Sequence, residues 1–334
     1  MAIGGESEPG DERWKEAGLR KVFFAGMVVV LVGLSSIGAG TMHVILDFFA
    51  NPNHVPLFVA CELGFFSDEG VEVEILIPAN PSDPVKLAAA QTVEVALTPQ
   101  INYLIAKAAG LPLIAIGALI ETPLGGLLSL TEYGVEALLD LRGKRVGYSL
   151  TPLEPTLWST MLATVGVAAD QVELVNVGFN TVLSLLSHRV DAIGAFRNFE
   201  VIQVELLGHE PSYFPQEDYG VPSTYEILLA INPELVETRP NALQALVAGL
   251  TRGIAYTREN PQEAFEIFLR AHPDLDDALN RQAYEATIPL YAENARHDEP
   301  QKWTRLQGYL FDNGLMTQEF RLPELYTTRF LSPR

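Results

Sequence analysis

The chain has 334 residues, 48% of them hydrophobic, enough to bury the core of one large domain or two medium ones. Its 42 acidic against 22 basic residues give a net charge of −20, which argues against a nucleic-acid partner, because a phosphate backbone requires a basic face. The single cysteine, Cys61, excludes a disulfide framework and any cysteine-built zinc or iron–sulfur site, and its place on the apolar face of a helix marks a buried thiol.

Residues 1–19 are polar and mixed in charge, as in a disordered head. Arg20 and Lys21 then precede an apolar run from Val22 to Gly40 that closes on Gly38-Ala39-Gly40. A basic flank, a short apolar core and small residues fit an export signal, and the run is also long enough for an uncleaved membrane anchor; a buried N-terminal helix is the plain alternative. No cysteine follows it, which closes the bacterial lipoprotein route and puts the start of a mature chain near Thr41.

His43 to Phe48 reads as a strand. It breaks at Ala50-Asn51-Pro52-Asn53 and resumes as a helix from about Pro56, for which Asn53 is a suitable cap. Phe48, Phe49, Asn51 and His54 thus gather at the carboxyl end of a first strand, where open α/β sheets bind ligands. A capped turn with two core phenylalanines is the bland alternative.

Val71 to Ile77 alternates as a strand with one solvated face. The turn-rich loop Pro78 to Pro84 leads into a helix, and Val93 to Leu97 is a short strand ending at Thr98-Pro99-Gln100. There Thr98, Gln100 and Asn102 place a hydroxyl and two amides at a helix start, as ligand groups or as caps. Leu111 to Ile120 and Leu127 to Leu130 are apolar strands. Strand–helix alternation implies parallel sheets with right-handed crossovers.

The pattern restarts with a strand at Val146 to Ser149. Glu154 follows in the first turn of the next helix and partly supplies the negative charge that a helix start attracts, which disfavours phosphate there. Strands at Val172 to Val177 and Ala192 to Phe196 complete a second lobe. Phe196-Arg197-Asn198-Phe199-Glu200 is the sharpest cluster: Glu200 sits in the first turn of a helix, with Phe196 and Phe199 on either side of a guanidinium and the Asn198 amide. A carboxylate accepting two N–H groups side by side can read an amino-substituted heterocycle; a capping Glu is the plain alternative. After a long segment from Pro211 to Pro222, Tyr225 and Glu226 enter a returning strand that runs to Ile231.

The remainder is helical. Pro240 to Arg258 has i, i+3, i+4 apolar spacing and Pro near its first turn. These elements describe two α/β lobes joined by two crossings, near 131–140 and 221–225, with C-terminal helices packed on the first lobe. Such an architecture makes a cleft and a hinge.

No P-loop, His-Glu-x-x-His, Gly-x-Ser-x-Gly or strand-borne Gly-x-Gly-x-x-Gly occurs. The six histidines (43, 54, 188, 209, 272 and 297) are scattered, and only His54 falls in a candidate pocket.

Leu46-Asp47-Phe48-Phe49-x-Asn51-x-x-His54-x-Pro-Leu-Phe-Val-Ala60, then Gly64-Phe65-Phe66-x-x-Glu69-Gly70, resembles the ThiY-type binding proteins, solute receptors of ABC importers for thiamine pyrimidine precursors. The resemblance runs through Pro78 to Pro84, Ile193 to Glu200 and Tyr219 to Glu226, in unbroken order over about residues 43–310. It implies an α/β chain of the type II periplasmic-binding-protein fold, with lobe 1 formed by 41–135 and 225–334 and lobe 2 by 136–224.

The same resemblance implies a planar aminopyrimidine held between Phe48 or Phe49 and Phe196 or Phe199. Asn51 and His54 would bond its edge and Glu200 its amino group. It implies a monomeric, extracytoplasmic receptor that works with a permease and an ATPase and needs no cofactor or metal. Relatives often carry Trp-Asn-Tyr where this chain has Arg197-Asn198-Phe199, which leaves open a pyrimidine, riboflavin or another planar heterocycle. The superfamily also holds a fungal pyrimidine synthase. Its cofactor lysine and consumed histidine correspond here to Thr98 and Asn102, and residues 214–226 contain no cysteine for its iron-binding run, so neither a Schiff-base amine nor those ligands are present.

Overall fold

The structure, a computed structural model, describes residues 40–178 and 180–333. The expected export signal or anchor at 22–40 lies almost wholly outside the described residues, among which no helix is long and apolar enough to cross a membrane.

Two five-stranded sheets organise the chain. The first contains β1 (Thr41–Ile45), β2 (Glu72–Leu76), β3 (Val95–Thr98), β4 (Ile114–Ile120) and β10 (Ile227–Ile231), in the order β2-β1-β3-β10-β4. The second contains β5 (Gly125–Leu130), β6 (Arg145–Tyr148), β7 (Glu173–Asn176), β8 (Ala192–Phe196) and β9 (Pro211–Pro215), in the order β7-β6-β8-β5-β9. Helices cover the sheets and build a two-lobed α/β fold. The neighbouring strands β10 and β4 are apolar runs buried along nearly their whole length, as strands covered on both faces must be.

Both sheets are mixed rather than wholly parallel. β10 runs antiparallel to β3 and β4, and β5 runs antiparallel to β8 and β9. In each sheet the antiparallel strand is the one that enters directly after the chain has crossed between lobes.

This moves one expected boundary. The apolar run at 127–130 belongs to the second sheet, so the first crossing occupies residues 121–124 instead of 131–140. Which lobe a short apolar strand joins depends on long-range pairing. The long segment from Pro211, to which the sequence assigned no element, begins with strand β9; it sits at a sheet edge, where its two prolines need not supply ladder donors on the open side. The second crossing runs from Gln216 to Glu226.

The helix Pro240–Glu259 spans the first lobe and packs on the helix Val55–Glu62. The two approach closely because Gly253 carries no side chain: a Cβ there would meet the Pro56 carbonyl oxygen at 2.3 Å, and Gly249 likewise makes room for Phe66. Burial pushes the Cys61 thiol on the second of these helices up to about 12, so it is protonated and unreactive at neutral pH.

Candidate functional site

A cleft of about 540 Å³ opens between the lobes. Phe48, Gln100 and Asn102 face it from the first lobe, Ser149, Glu154, Trp158, Phe196 and Glu200 from the second, and Gln216, Thr224 and Glu226 from the second crossing. None of the described residues that line it is Lys, Arg or His.

Three carboxyls define its chemistry. Glu154, in the first turn of the helix Leu153–Thr164, accepts the Ser149 N–H at the end of β6 (2.6 Å). Glu200 repeats the arrangement one strand over, accepting the Phe196 N–H at the end of β8 (2.8 Å). Glu226, just before β10, accepts the Leu124 N–H (2.8 Å). Each is fixed by a backbone donor.

Burial raises the pKa of all three above the ordinary carboxyl range. Backbone N–H groups pull Glu154 and Glu200 part of the way back. Glu226 reaches about 7: burial dominates, Asp47 and Glu217 add to the rise, and the Leu124 N–H and Arg197 oppose it. Among the described residues no group of three His, Cys, Asp or Glu side chains is placed to hold a metal ion.

Two aromatic rings complete the cleft. Phe48 is 39% exposed and Phe196 41%, which is high for phenylalanine; one comes from each lobe. Behind Phe196, the indole of Trp158 slides beneath Gly194, where a Cβ would lie 2.6 Å from Cζ2. Trp158 Nε1 and Gln100 Nε2 are buried at the cleft wall with no protein acceptor among the described residues.

Of the residues singled out from the sequence, Phe48, Gln100, Asn102, Glu154, Phe196 and Glu200 come together in this cleft. Asn51 and His54 do not present their polar groups to it. The Asn51 side chain accepts from Asn53 N and donates to the Phe49 carbonyl, so Asn51, not Asn53, caps the turn. The fully buried His54 accepts from Asn51 N through Nδ1 and donates through Nε2 to Asp47 (2.8 Å). Both side chains are consumed by the loop they shape. Phe49 is 64% exposed and packs edge-on against Phe48 outside the cleft lining.

Thr98 is buried, with its hydroxyl donating to the Pro99 carbonyl. Tyr225 is buried as well: its hydroxyl accepts from Glu299 N, and its ring lies 4.5 Å from Lys302 Nζ. It serves the cleft indirectly, because its backbone N–H holds Gln100 Oε1 at 2.9 Å. Phe199 is half-buried beside the helix start and does not line the cleft.

Asn198 reaches across to the first lobe. Its Nδ2 donates to Asn53 Oδ1 and to Thr287 Oγ1, each at 2.8 Å. Arg197 points away from the cleft; it pairs with Glu217 and lies over the Tyr213 ring. The five-residue cluster is therefore divided between cleft (Phe196, Glu200), interlobe contact (Asn198) and second-lobe support (Arg197).

Sequence reasoning placed Glu226 only as a carboxylate near the crossing and passed over Trp158, Thr224 and Gln216. A lone acid directly before five consecutive apolar residues was the available signal for Glu226; Trp158, in a helix of apolar periodicity, is indistinguishable from core.

A family model described as NMT1/THI5 like matches residues 51–264. A Haemophilus influenzae protein named for thiamine biosynthesis is 36% identical over 304 residues, 90% of this chain and 96% of that protein. A formylaminopyrimidine-binding protein of Halalkalibacterium halodurans is 33% identical, covering 76% of this chain and 77% of its own length. A 4-amino-5-hydroxymethyl-2-methylpyrimidine phosphate synthase of Legionella pneumophila is 28% identical, covering 86% and 91%. Among solved structures, the periplasmic aliphatic sulphonate binding protein of Escherichia coli superposes with a TM-score of 0.68 at 12% identity, covering 88% of this chain and 92% of that one, a likeness of fold.

Proposed function

Because the chain belongs to the NMT1/THI5-like family, we propose that it is a solute-binding receptor for a thiamine pyrimidine precursor, formylaminopyrimidine or hydroxymethylpyrimidine, captured between its two lobes. The observation that carries this reading is the cleft's composition: exposed rings from both lobes, three backbone-anchored carboxyls and, among the described lining residues, no basic side chain. A flat aminopyrimidine offers faces to Phe48 and Phe196 and N–H donors to Glu200. Stacking contributes about 0.5–1.5 kcal/mol per ring pair and charge-assisted hydrogen bonds about 1.5–3 kcal/mol each. The same lining disfavours sulfonates, phosphates and other anions, whatever the fold's other members bind.

In this reading the chain carries out no reaction. It acts outside the cytoplasm as a monomer, delivered or tethered by its N-terminal apolar run, and its ligand-closed form is read by an ABC permease with its ATPase. Closure follows occupancy only if the ligand binds the closed arrangement better than the open one.

The synthase relatives favour a second reading, an enzyme making the pyrimidine. It lacks an amine: Thr98 and Asn102 stand where the resemblance implies the reacting lysine and histidine, and no lysine is among the described residues lining the cleft.

Thermal melting of the chain from Thr41, with formylaminopyrimidine, hydroxymethylpyrimidine, thiamine and riboflavin in turn, tests the receptor reading. Ligand at a hundred times its Kd adds about 2.7 kcal/mol. A pyrimidine-specific rise in Tm that Glu200→Gln removes is the expected result. A rise with riboflavin alone would replace the ligand, and turnover of vitamin B6 would replace the receptor with the enzyme.

A further inference from the structure

We propose that Glu226 couples ligand occupancy to the hinge, offering one carboxyl oxygen to an N–H donor of the ligand while the other holds the backbone of the opposite crossing. The proposal rests on the receptor reading and adds to it a residue and a role.

The chain passes between lobes at 121–124 and at 216–226, and any change in lobe angle must be absorbed there. Leu124 ends the first crossing and Glu226 ends the second. Glu226 Oε2 accepts the Leu124 N–H at 2.8 Å, so one side chain bridges the two connecting segments. Leu124 is a junction in its own right, because its carbonyl accepts from Arg197 N (2.9 Å) and from the Tyr213 hydroxyl (2.6 Å). Arg197 is in turn paired with Glu217 on the second crossing. The hinge is a single hydrogen-bonded unit.

Glu226 is the member of that unit with a face on the cleft. Its Oε1 takes no hydrogen bond from any described residue, although the residue is only 8% exposed. That oxygen keeps accessible surface on the cleft, so it stands open to a donor there, and Asp47 and Glu217 add negative charge nearby. An N–H group on the ligand would satisfy Oε1. Because the carboxyl is planar and rigid, that bond fixes the orientation of Oε2 and hence the place of Leu124. Glu154 and Glu200, by contrast, are anchored to strand ends within the second lobe and grip the ligand without touching either crossing.

The test is hydrogen exchange at the Leu124 amide in the full chain, read with affinity for formylaminopyrimidine. In wild type the ligand should slow exchange at Leu124 at least threefold. Glu226→Gln keeps an oxygen for Leu124 but turns an NH2 group toward the cleft. It should leave exchange in the free protein unchanged, weaken binding at least tenfold and abolish the ligand-dependent slowing. Glu226→Ala should speed exchange at Leu124 without any ligand. Wild-type affinity and slowing in Glu226→Gln would overturn the proposal. If wild type fails to bind while Glu226→Ala still speeds exchange, the receptor reading falls and takes the coupling with it, and the bridge between crossings stands as hinge structure alone.

Discussion

Asn198 Nδ2 lies 2.8 Å from Asn53 Oδ1, and this pair joins a strand end of the second lobe to the first turn after β1 in the first. Thr287 Oγ1 shares the same donor group, also at 2.8 Å. All three residues are buried, so no water stands ready to replace a lost partner.

Asn198→Ala should therefore cost more than a surface contact. It leaves Asn53 and Thr287 short of a partner, and unmade buried hydrogen bonds cost about 1–3 kcal/mol each. A loss of at least about 2 kcal/mol in urea unfolding is expected, with a wider interlobe distribution in small-angle scattering. Wild-type values in both would show that the contact carries no weight.

Stability should also respond to pH in a direction fixed by Glu226. Its pKa of about 7 in the folded chain lies above the ordinary carboxyl value of 4.5, so its contribution is complete below pH 4.5 and is lost as pH rises through 7. The groups acting on it are Asp47, Glu217, Arg197 and Tyr213, with Glu154 and Glu200 across the cleft raised in the same sense. The loss amounts to about 3 kcal/mol at most. Buried His297, lowered to about 4, works oppositely: it is stabilising above pH 6.5, and that contribution is lost as pH falls through 4. Melts of Glu226→Gln between pH 5 and 8 should decline less steeply than those of wild type. Parallel curves would refute the assignment.

Phe48→Ala and Phe196→Ala separate ligand contacts from fold. Both rings are substantially exposed, so the unliganded Tm should hardly move. Each truncation should weaken calorimetric binding of formylaminopyrimidine by about two- to tenfold, the worth of one ring pair. Unchanged affinity in both variants would place the ligand elsewhere.

Gly253→Ala sets two effects against each other. Alanine improves helix propensity by about 1 kcal/mol, yet its Cβ would meet the Pro56 carbonyl oxygen at 2.3 Å and the Ala60 Cβ at 2.9 Å. The nearest obstacle is backbone, which cannot swing aside as a side chain can, and overpacking costs about 1–3 kcal/mol. Calorimetry should show a lower Tm; a higher one would mean that the two helices part without penalty.

Much of the scaffold was legible because strands such as Ile227–Ile231 are unbroken apolar runs and the helix Pro240–Glu259 has clear periodicity. Glu154 and Glu200 were legible for a related reason, since an acid in a helix's first turn reaches back to the strand end by local geometry alone. Asn51 and His54 were less legible, because polar groups beside a turn have partners within the loop at hand, and a sequence does not say whether those partners or a ligand will claim them. Glu226 and the lobe membership of β5 depend on contacts more than sixty residues apart in sequence, which leave no periodic trace.

The position of β10 between β3 and β4 bears on the order in which the chain assembles. All strands of the second sheet lie within residues 125–215, so that sheet has its full set before residue 216 is made. The first sheet does not: β3 and β4 are not neighbours, and β4 has no strand partner until Ile227–Ile231 arrives more than a hundred residues later. Loop closure on that scale is slow relative to local pairing. The inserted lobe can thus mature while the lobe that encloses it still has an open seam, and the strand that closes the seam begins one residue after Glu226.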